Sequence, residues 1–200
     1  MKIRKFILWH ITVPNVVTSA GMASALLSCY FAVTGDLRLA VILLMLAGLC
    51  DLFDGVLARY LKVSKGETKY GVQLDTLIDM LSFGVTPLVI VASQIELELY
   101  VLPIFFLYLL TAATRLAHFN AFTASDGPTT HYQGVPVTNI ALVLPIILLF
   151  GLNQWLLLGT LLAMSLLFVL NFKVKKLKGT VWYIVALVIT LALAGIWWFM

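Results

Sequence analysis

Leu37-Arg-Leu-Ala-Val-Ile-Leu-Leu-Met-Leu-Ala-Gly-Leu-Cys-Asp51-Leu-Phe-Asp54-Gly-Val-Leu-Ala-Arg-Tyr-Leu61 reads two ways at once. Its length and apolar content are those of a membrane-spanning helix, which needs roughly 20 mostly apolar residues. Yet Asp51 and Asp54 lie inside it, where an aspartate costs roughly 2.5–3.5 kcal/mol on insertion scales. The rest of the chain settles the first point. Of 200 residues, 62% are hydrophobic and only 11% charged, and the mean hydropathy is +1.05. A soluble domain carries about a quarter charged residues. This chain could not cover a water-facing surface, and the same figures exclude disorder.

Working outward, apolar stretches at 15–34, 37–61, 71–93, 97–120, 134–152, 154–172 and 180–199 predict seven crossings, within a range of six to eight. The fold class is therefore an all-α integral membrane protein, a polytopic helical bundle forming one domain over residues 1–200. Only Gly151-Leu-Asn153 separates the fifth stretch from the sixth. Residues 1–13, basic at Lys2, Arg4 and Lys5 and carrying Trp9, predict an amphipathic segment lying in the interface. The same stretch begins like a signal peptide, but Pro14-Asn15 interrupts the apolar run and no soluble domain follows.

Of the 13 Lys and Arg residues, all but Arg38 fall at span ends on one face. The positive-inside rule makes that face cytoplasmic, with the N-terminus inside and Met200 outside the cell membrane. The lysines from Lys173 to Lys178 read as an anchor on anionic headgroups. Trp155, Trp182, Trp197 and Trp198 read as an interfacial aromatic belt. The net charge of +4 is spread along span ends rather than gathered into a stripe, so no nucleic-acid partner is expected. Cys29 and Cys50, inside apolar runs, read as small hydrophobes.

The chemistry lies in four aspartates. At about 100° per residue, Asp51 and Asp54 share a helical face about 60° wide, interleaved with Gly55 and Ala58 and flanked by Arg59. In the next span, Gly71, Asp75, Asp79 and Ser82 share a face within about 80°. The two spans run antiparallel, and their rise places all four carboxylates roughly 6–15 Å in from the cytoplasmic ends. They converge at one level. Unpaired, they would cost on the order of 10 kcal/mol, and Arg59 and Arg115 are too few to neutralise them. Two divalent cations would balance the charge. Hard oxygen ligands without His or Cys point to Mg²⁺, Mn²⁺ or Ca²⁺ rather than zinc. Such a cluster, beside an arginine and backbone left open by Gly55, Ala58 and Gly71, suits a diphosphate substrate and phosphoryl transfer.

Asp51-x-x-Asp54-Gly55-x-x-Ala58-Arg59, followed by Gly71-x-x-x-Asp75-x-x-x-Asp79, resembles the signature of the CDP-alcohol phosphotransferases at all eight fixed positions. The interval from Arg59 to Gly71 is a few residues longer than in many members. The resemblance implies a homodimeric membrane enzyme in which an alcohol hydroxyl displaces CMP from a CDP-linked lipid. It implies Asp51, Asp54 and Asp75 as metal ligands, and Asp79 as both ligand and base for the acceptor. It also implies contacts to the CDP-lipid from Gly55, Ala58, Arg59, Thr68 and Gly71, and from Asn15, Val16, Val17 and Thr18 in the first span. Residues 14–137 would form the catalytic core and 138–200 additional transmembrane helices.

Outside the signature, Leu74–Gly84 with Thr86-Pro87, Thr114-Arg115-Leu-Ala-His118-Phe-Asn120 and Tyr132-Gln133-Gly-Val-Pro136 resemble the phosphatidylserine synthase branch. Branch members usually carry Arg where this chain has His118. The resemblance implies CDP-diacylglycerol, or CDP-archaeol, as donor and L-serine as acceptor. Arg115 is the cation available to grip the serine carboxylate bidentately; its other reading is a snorkelling arginine at a helix end. His118, Asn120 and Gln133 complete the candidate acceptor site, although Asn120 and Gln133 read equally well as caps of helix and loop. Glycerol-3-phosphate or inositol-phosphate acceptors would want a denser cationic site. The rival class is a cation or proton transporter, built on intramembrane carboxylates. Against it, no carboxylate ladder continues outward and no inverted repeat is visible.

Overall fold

A computed structural model describes residues 12–61, 65–122, 131–133, 135–151, 153–170, 173–175 and 180–199. The expected interfacial segment, up to residue 11, lies outside them. Helix α1 (Val13–Thr34) starts with Pro14 in its first turn, where a missing N–H costs nothing. It ends at Gly35, whose φ of 92° places its N–H on the Phe31 carbonyl. Asp36 then caps α2 (Leu37–Tyr60), its carboxylate accepting from the Leu39 N–H at 3.0 Å. One turn thus ends one span and starts the next.

The α1–α2 hairpin packs through small residues. Gly21, Ser24, Ala25, Ser28 and Ala32 are buried on one stripe of α1. A Cβ on Gly21 would lie 3.1 Å from the Cys50 Cβ. Ser24 donates to the Leu43 carbonyl at 2.8 Å and Ser28 to the Ala40 carbonyl at 2.6 Å. Without water to drive association, membrane helices depend on such close approach and shared hydrogen bonds.

The third apolar stretch is not one regular helix. It comprises α3 (Lys65–Asp79), a π-helical turn (Met80–Val85) and α4 (Thr86–Ala92). Pro87 explains the interruption: it has no N–H for the carbonyl four residues earlier, Phe83, and its ring crowds that carbonyl. Buried Tyr108, from α5 (Val101–Phe122), donates its hydroxyl to that carbonyl at 2.7 Å. Thr86 donates its hydroxyl to the Leu81 carbonyl at 3.1 Å. The carbonyl that Pro87 leaves free is satisfied from a neighbouring helix, as a lipid-embedded segment requires.

A short strand β1 (His131–Gln133), a 3₁₀ turn (Val137–Asn139), α6 (Ile140–Leu149), α7 (Gln154–Val169), β2 (Lys173–Lys175) and α8 (Thr180–Phe199) follow. Gly151, with φ of 122°, and Asn153, capping α7, make the sharp break expected between the fifth and sixth stretches. β1 pairs antiparallel with β2, Gln133 opposite Lys173. The α5–α6 and α7–α8 connections therefore share one end of the bundle, as the lysine distribution requires.

The protein is thus an all-α polytopic membrane protein apart from that small ladder. Among the described residues, four helical segments are long and apolar enough to cross a membrane, at 13–34, 37–58, 70–92 and 101–121, and the apolar helices at 137–149 and 154–169 are shorter. The fifth and sixth stretches were expected to be of full spanning length and their described helices fall short of it, whereas α8, 20 residues over Thr180–Phe199, matches the seventh. The tryptophan expectation also divides. Trp155 is 69% exposed and stacks on Tyr100 at 5.8 Å, as a belt residue should. Trp197 is only 5% exposed and donates its indole N–H to the Pro145 carbonyl of α6 at 3.3 Å. It is a packing residue, because α8 turns it inward rather than to the interface. The core is closed by Tyr108, Phe83 and Phe168, all fully buried.

Candidate active site

Helical periodicity puts Asp51 and Asp54 on the face of α2 that meets α3, and Asp75 and Asp79 on the facing side of α3. Carboxylate oxygens of Asp51, Asp54 and Asp75 all lie within 4.8 Å of one another. Asp79 lines a small cavity together with Asp51 and Asp54. All four expected aspartates are therefore brought together. Carboxylates this close repel one another unless a proton or a cation stands between them.

Neighbouring helices hold the cluster in place. Thr18 of α1 donates its hydroxyl to Asp54 Oδ2 at 2.5 Å, and Asp54 is 6% exposed. Thr138, in the 3₁₀ turn before α6, donates to Asp51 Oδ2 at 3.0 Å. Thr138 lies just past the residue 137 boundary expected for the catalytic core, so the C-terminal part reaches the site. Thr138 was not a candidate residue; its only sequence signal was a hydroxyl opening the fifth apolar stretch.

Asp75 Oδ1 is buried and has no hydrogen-bond partner among the described residues. Three converging carboxylates, one with an unused oxygen, form an all-oxygen donor set that fits a hard divalent cation. The small cavity that adjoins them is lined by Thr18, Gly21, Ala47, Asp51, Asp54, Ile78, Asp79, Ser82 and Phe83.

The remaining candidates divide. Asn15 and Thr18 are buried; Val17 is half-buried, and Val16 is exposed, as consecutive residues on a helix must be. Gly71 lets α3 approach α1 closely, since a Cβ there would lie 3.1 Å from Asn15 Oδ1 and that side chain would have to give. Gly55 is half-buried and Ala58 exposed. The side chains of Arg59, Thr68 and Gln133 lie outside the described residues. Arg115 is 8% exposed, with its guanidinium 6.0 Å from the Phe119 ring centre; it does not snorkel. His118 is exposed. Asn120 donates its amide to Thr76 Oγ1 at 2.7 Å, tying α5 to α3 one residue from Asp75.

Comparison with known proteins gives the chain its relatives. The chain is 25% identical over 179 residues to a CDP-diacylglycerol–serine O-phosphatidyltransferase of Helicobacter pylori, covering 84% of this chain and 74% of that protein. It is 29% identical over 143 residues to an archaetidylserine synthase of Methanothermobacter thermautotrophicus, covering 70% and 59%. A CDP-diacylglycerol–serine O-phosphatidyltransferase of Saccharomyces cerevisiae is 34% identical over 111 residues, covering 50% and 38%. The sequence model of the CDP-alcohol phosphatidyltransferases matches residues 11–200, a range that includes the aspartate cluster and all the helices around it. With its signature carboxylates converging between α2 and α3, this chain belongs to the CDP-alcohol phosphatidyltransferase family.

Proposed function

We propose that the protein transfers a phosphatidyl group from CDP-diacylglycerol, or its ether-linked counterpart CDP-archaeol, to L-serine, releasing CMP. The observation that carries this reading is the aspartate cluster itself, four carboxylates in signature spacing inside apolar helices. The names of the relatives, two ester-type serine transferases and one archaetidylserine synthase, support serine as acceptor and leave both lipid types as donors.

In this reading Asp51, Asp54, Asp75 and Asp79 would hold two divalent cations, Mg²⁺ or Mn²⁺, with Ca²⁺ also compatible. When bound, these neutralise the diphosphate and stabilise charge on the transferring phosphoryl group. Thr18 and Thr138 keep the Asp54 and Asp51 carboxylates in position. Gly55, Ala58 and Gly71, with Arg59, Thr68 and the Asn15–Thr18 turn, receive the CDP portion. Asp79 takes the proton of the serine hydroxyl as that oxygen attacks the lipid-bearing phosphorus. The bond from this phosphorus to the CMP oxygen breaks, and its electron pair leaves with CMP. Arg115 grips the serine carboxylate, His118 and Gln133 flank it, and Asn120 braces α5 against α3. The active site and N-terminus face the cytoplasm, and the working form is a homodimer.

CMP release by purified protein in detergent tests this. CDP-diacylglycerol or CDP-archaeol is supplied with Mn²⁺ or Mg²⁺, and L-serine, glycerol-3-phosphate or inositol-phosphate is added in turn. Serine-dependent release, lost in Arg115→Ala, is expected. Release with a phosphorylated acceptor alone would overturn serine while keeping the aspartate chemistry. Asp79→Asn should abolish turnover and still bind CDP-lipid; lost binding would make Asp79 a ligand only.

A further inference from the structure

Ser82 has no task in this scheme, and its surroundings are unusual. It is 1% exposed, and its Oγ, shielded from solvent, has no hydrogen-bond partner among the described residues. A buried helical Ser or Thr commonly donates back to the carbonyl four residues earlier. Ser165 does so to Leu161 at 2.8 Å and Thr76 to Val72 at 2.8 Å. Ser82 stands inside the π-helical turn Met80–Val85, where the carbonyl register changes, and makes no such bond. Such turns concentrate at functional sites.

What Ser82 does line is the small cavity, whose walls also include Asp51, Asp54 and Asp79 but not Asp75. The close carboxylate triplet is Asp51, Asp54 and Asp75. Two overlapping groups of residues therefore share Asp51 and Asp54. One is completed by Asp75, the other by Asp79 and Ser82. Building on the cation reading of the aspartates, we infer that Ser82 supplies a neutral oxygen ligand to the second divalent cation, the one held by Asp51 and Asp79. Charge favours this donor type: four carboxylates already balance two divalent cations, so a further ligand has to be uncharged. A hydroxyl is also the hard oxygen that Mg²⁺ and Mn²⁺ prefer.

The test is Mn²⁺ titration of the full chain in detergent, read from the electron paramagnetic resonance signal of the free ion. The unsubstituted chain should bind two Mn²⁺. Ser82→Ala should keep the tighter site and weaken the other about 10- to 100-fold. Ser82→Cys should shift that weaker site toward Cd²⁺, because a thiolate is soft; Cys50, present in every variant, is controlled by the unsubstituted chain. Unchanged isotherms in both variants would overturn the role of Ser82 and leave the cation reading standing. An unsubstituted chain that binds no Mn²⁺, or only one, would overturn the two-cation reading and this inference together. If Ser82→Ala does not fold, the nearly isosteric Ser82→Cys carries the test through its Cd²⁺ preference.

Discussion

The two halves of α2 treat polar groups in opposite ways. In the half that follows Asp36, the partners from α1 are serines. The Ser24 and Ser28 hydroxyls donate to the Leu43 and Ala40 carbonyls, so their O–H donors are used within the hairpin. In the half around Asp51 and Asp54, carboxylates crowd together, and Asp75 Oδ1 and Ser82 Oγ have no partner among the described residues. Both halves face helices inside the same apolar layer, so lipid cannot account for the difference. A polar group used only for packing is satisfied within the protein, because nothing else in a bilayer will satisfy it. Polar groups with open valences in the same layer are held ready for something that arrives from outside.

The largest expected effect attacks the open half. Asp75→Asn should lower CMP release by at least about 100- to 1000-fold. Without divalent ions it should not lower the apparent Tm, since it removes a charge from a repelling cluster. A Tm rise on Mn²⁺ addition in the unsubstituted chain, absent in Asp75→Asn, would tie both results to the ion. A large loss of Tm in Asp75→Asn would place that carboxylate with the structural groups and break the contrast.

Thr138→Val sharpens the comparison, because Thr138 is bonded within the protein yet serves the open half. Removing its hydroxyl should weaken Mn²⁺ affinity about 10-fold or more, with recovery in Thr138→Ser and little change in helical content. The smallest effect belongs to the closed half. Ser28→Ala should cost about 0.6 kcal/mol, the average for such interhelical bonds, and leave kcat unchanged in a detergent denaturation and turnover assay. A fall in kcat there would mean that the two halves of α2 are coupled.

How much of this was legible beforehand depends on distance along the chain. Hydropathy and lysine placement located the seven apolar stretches, and a 3.6-residue period set Asp51 with Asp54, and Asp75 with Asp79, on single faces. Both signals are local, read within one helix, and the four aspartates do converge in the structure. The Ser82 position was visible in the same way, one turn beyond Asp79 on the same face. Its unpaired state was not visible, because that follows from a π-helical turn whose freed carbonyl at Phe83 is taken by Tyr108 of another helix. Trp197 looked like a belt residue until the packing of α8 against Pro145 turned it inward.

Composition and periodicity alone therefore determined that the chain lives in a bilayer, where its carboxylates lie, and that they need compensating. Tertiary structure alone decided which groups hold them. The Thr18–Asp54 and Thr138–Asp51 hydrogen bonds join residues 36 and 87 positions apart. Such bonds depend on how whole helices pack and rotate against one another, and no periodicity within a single helix carries that information.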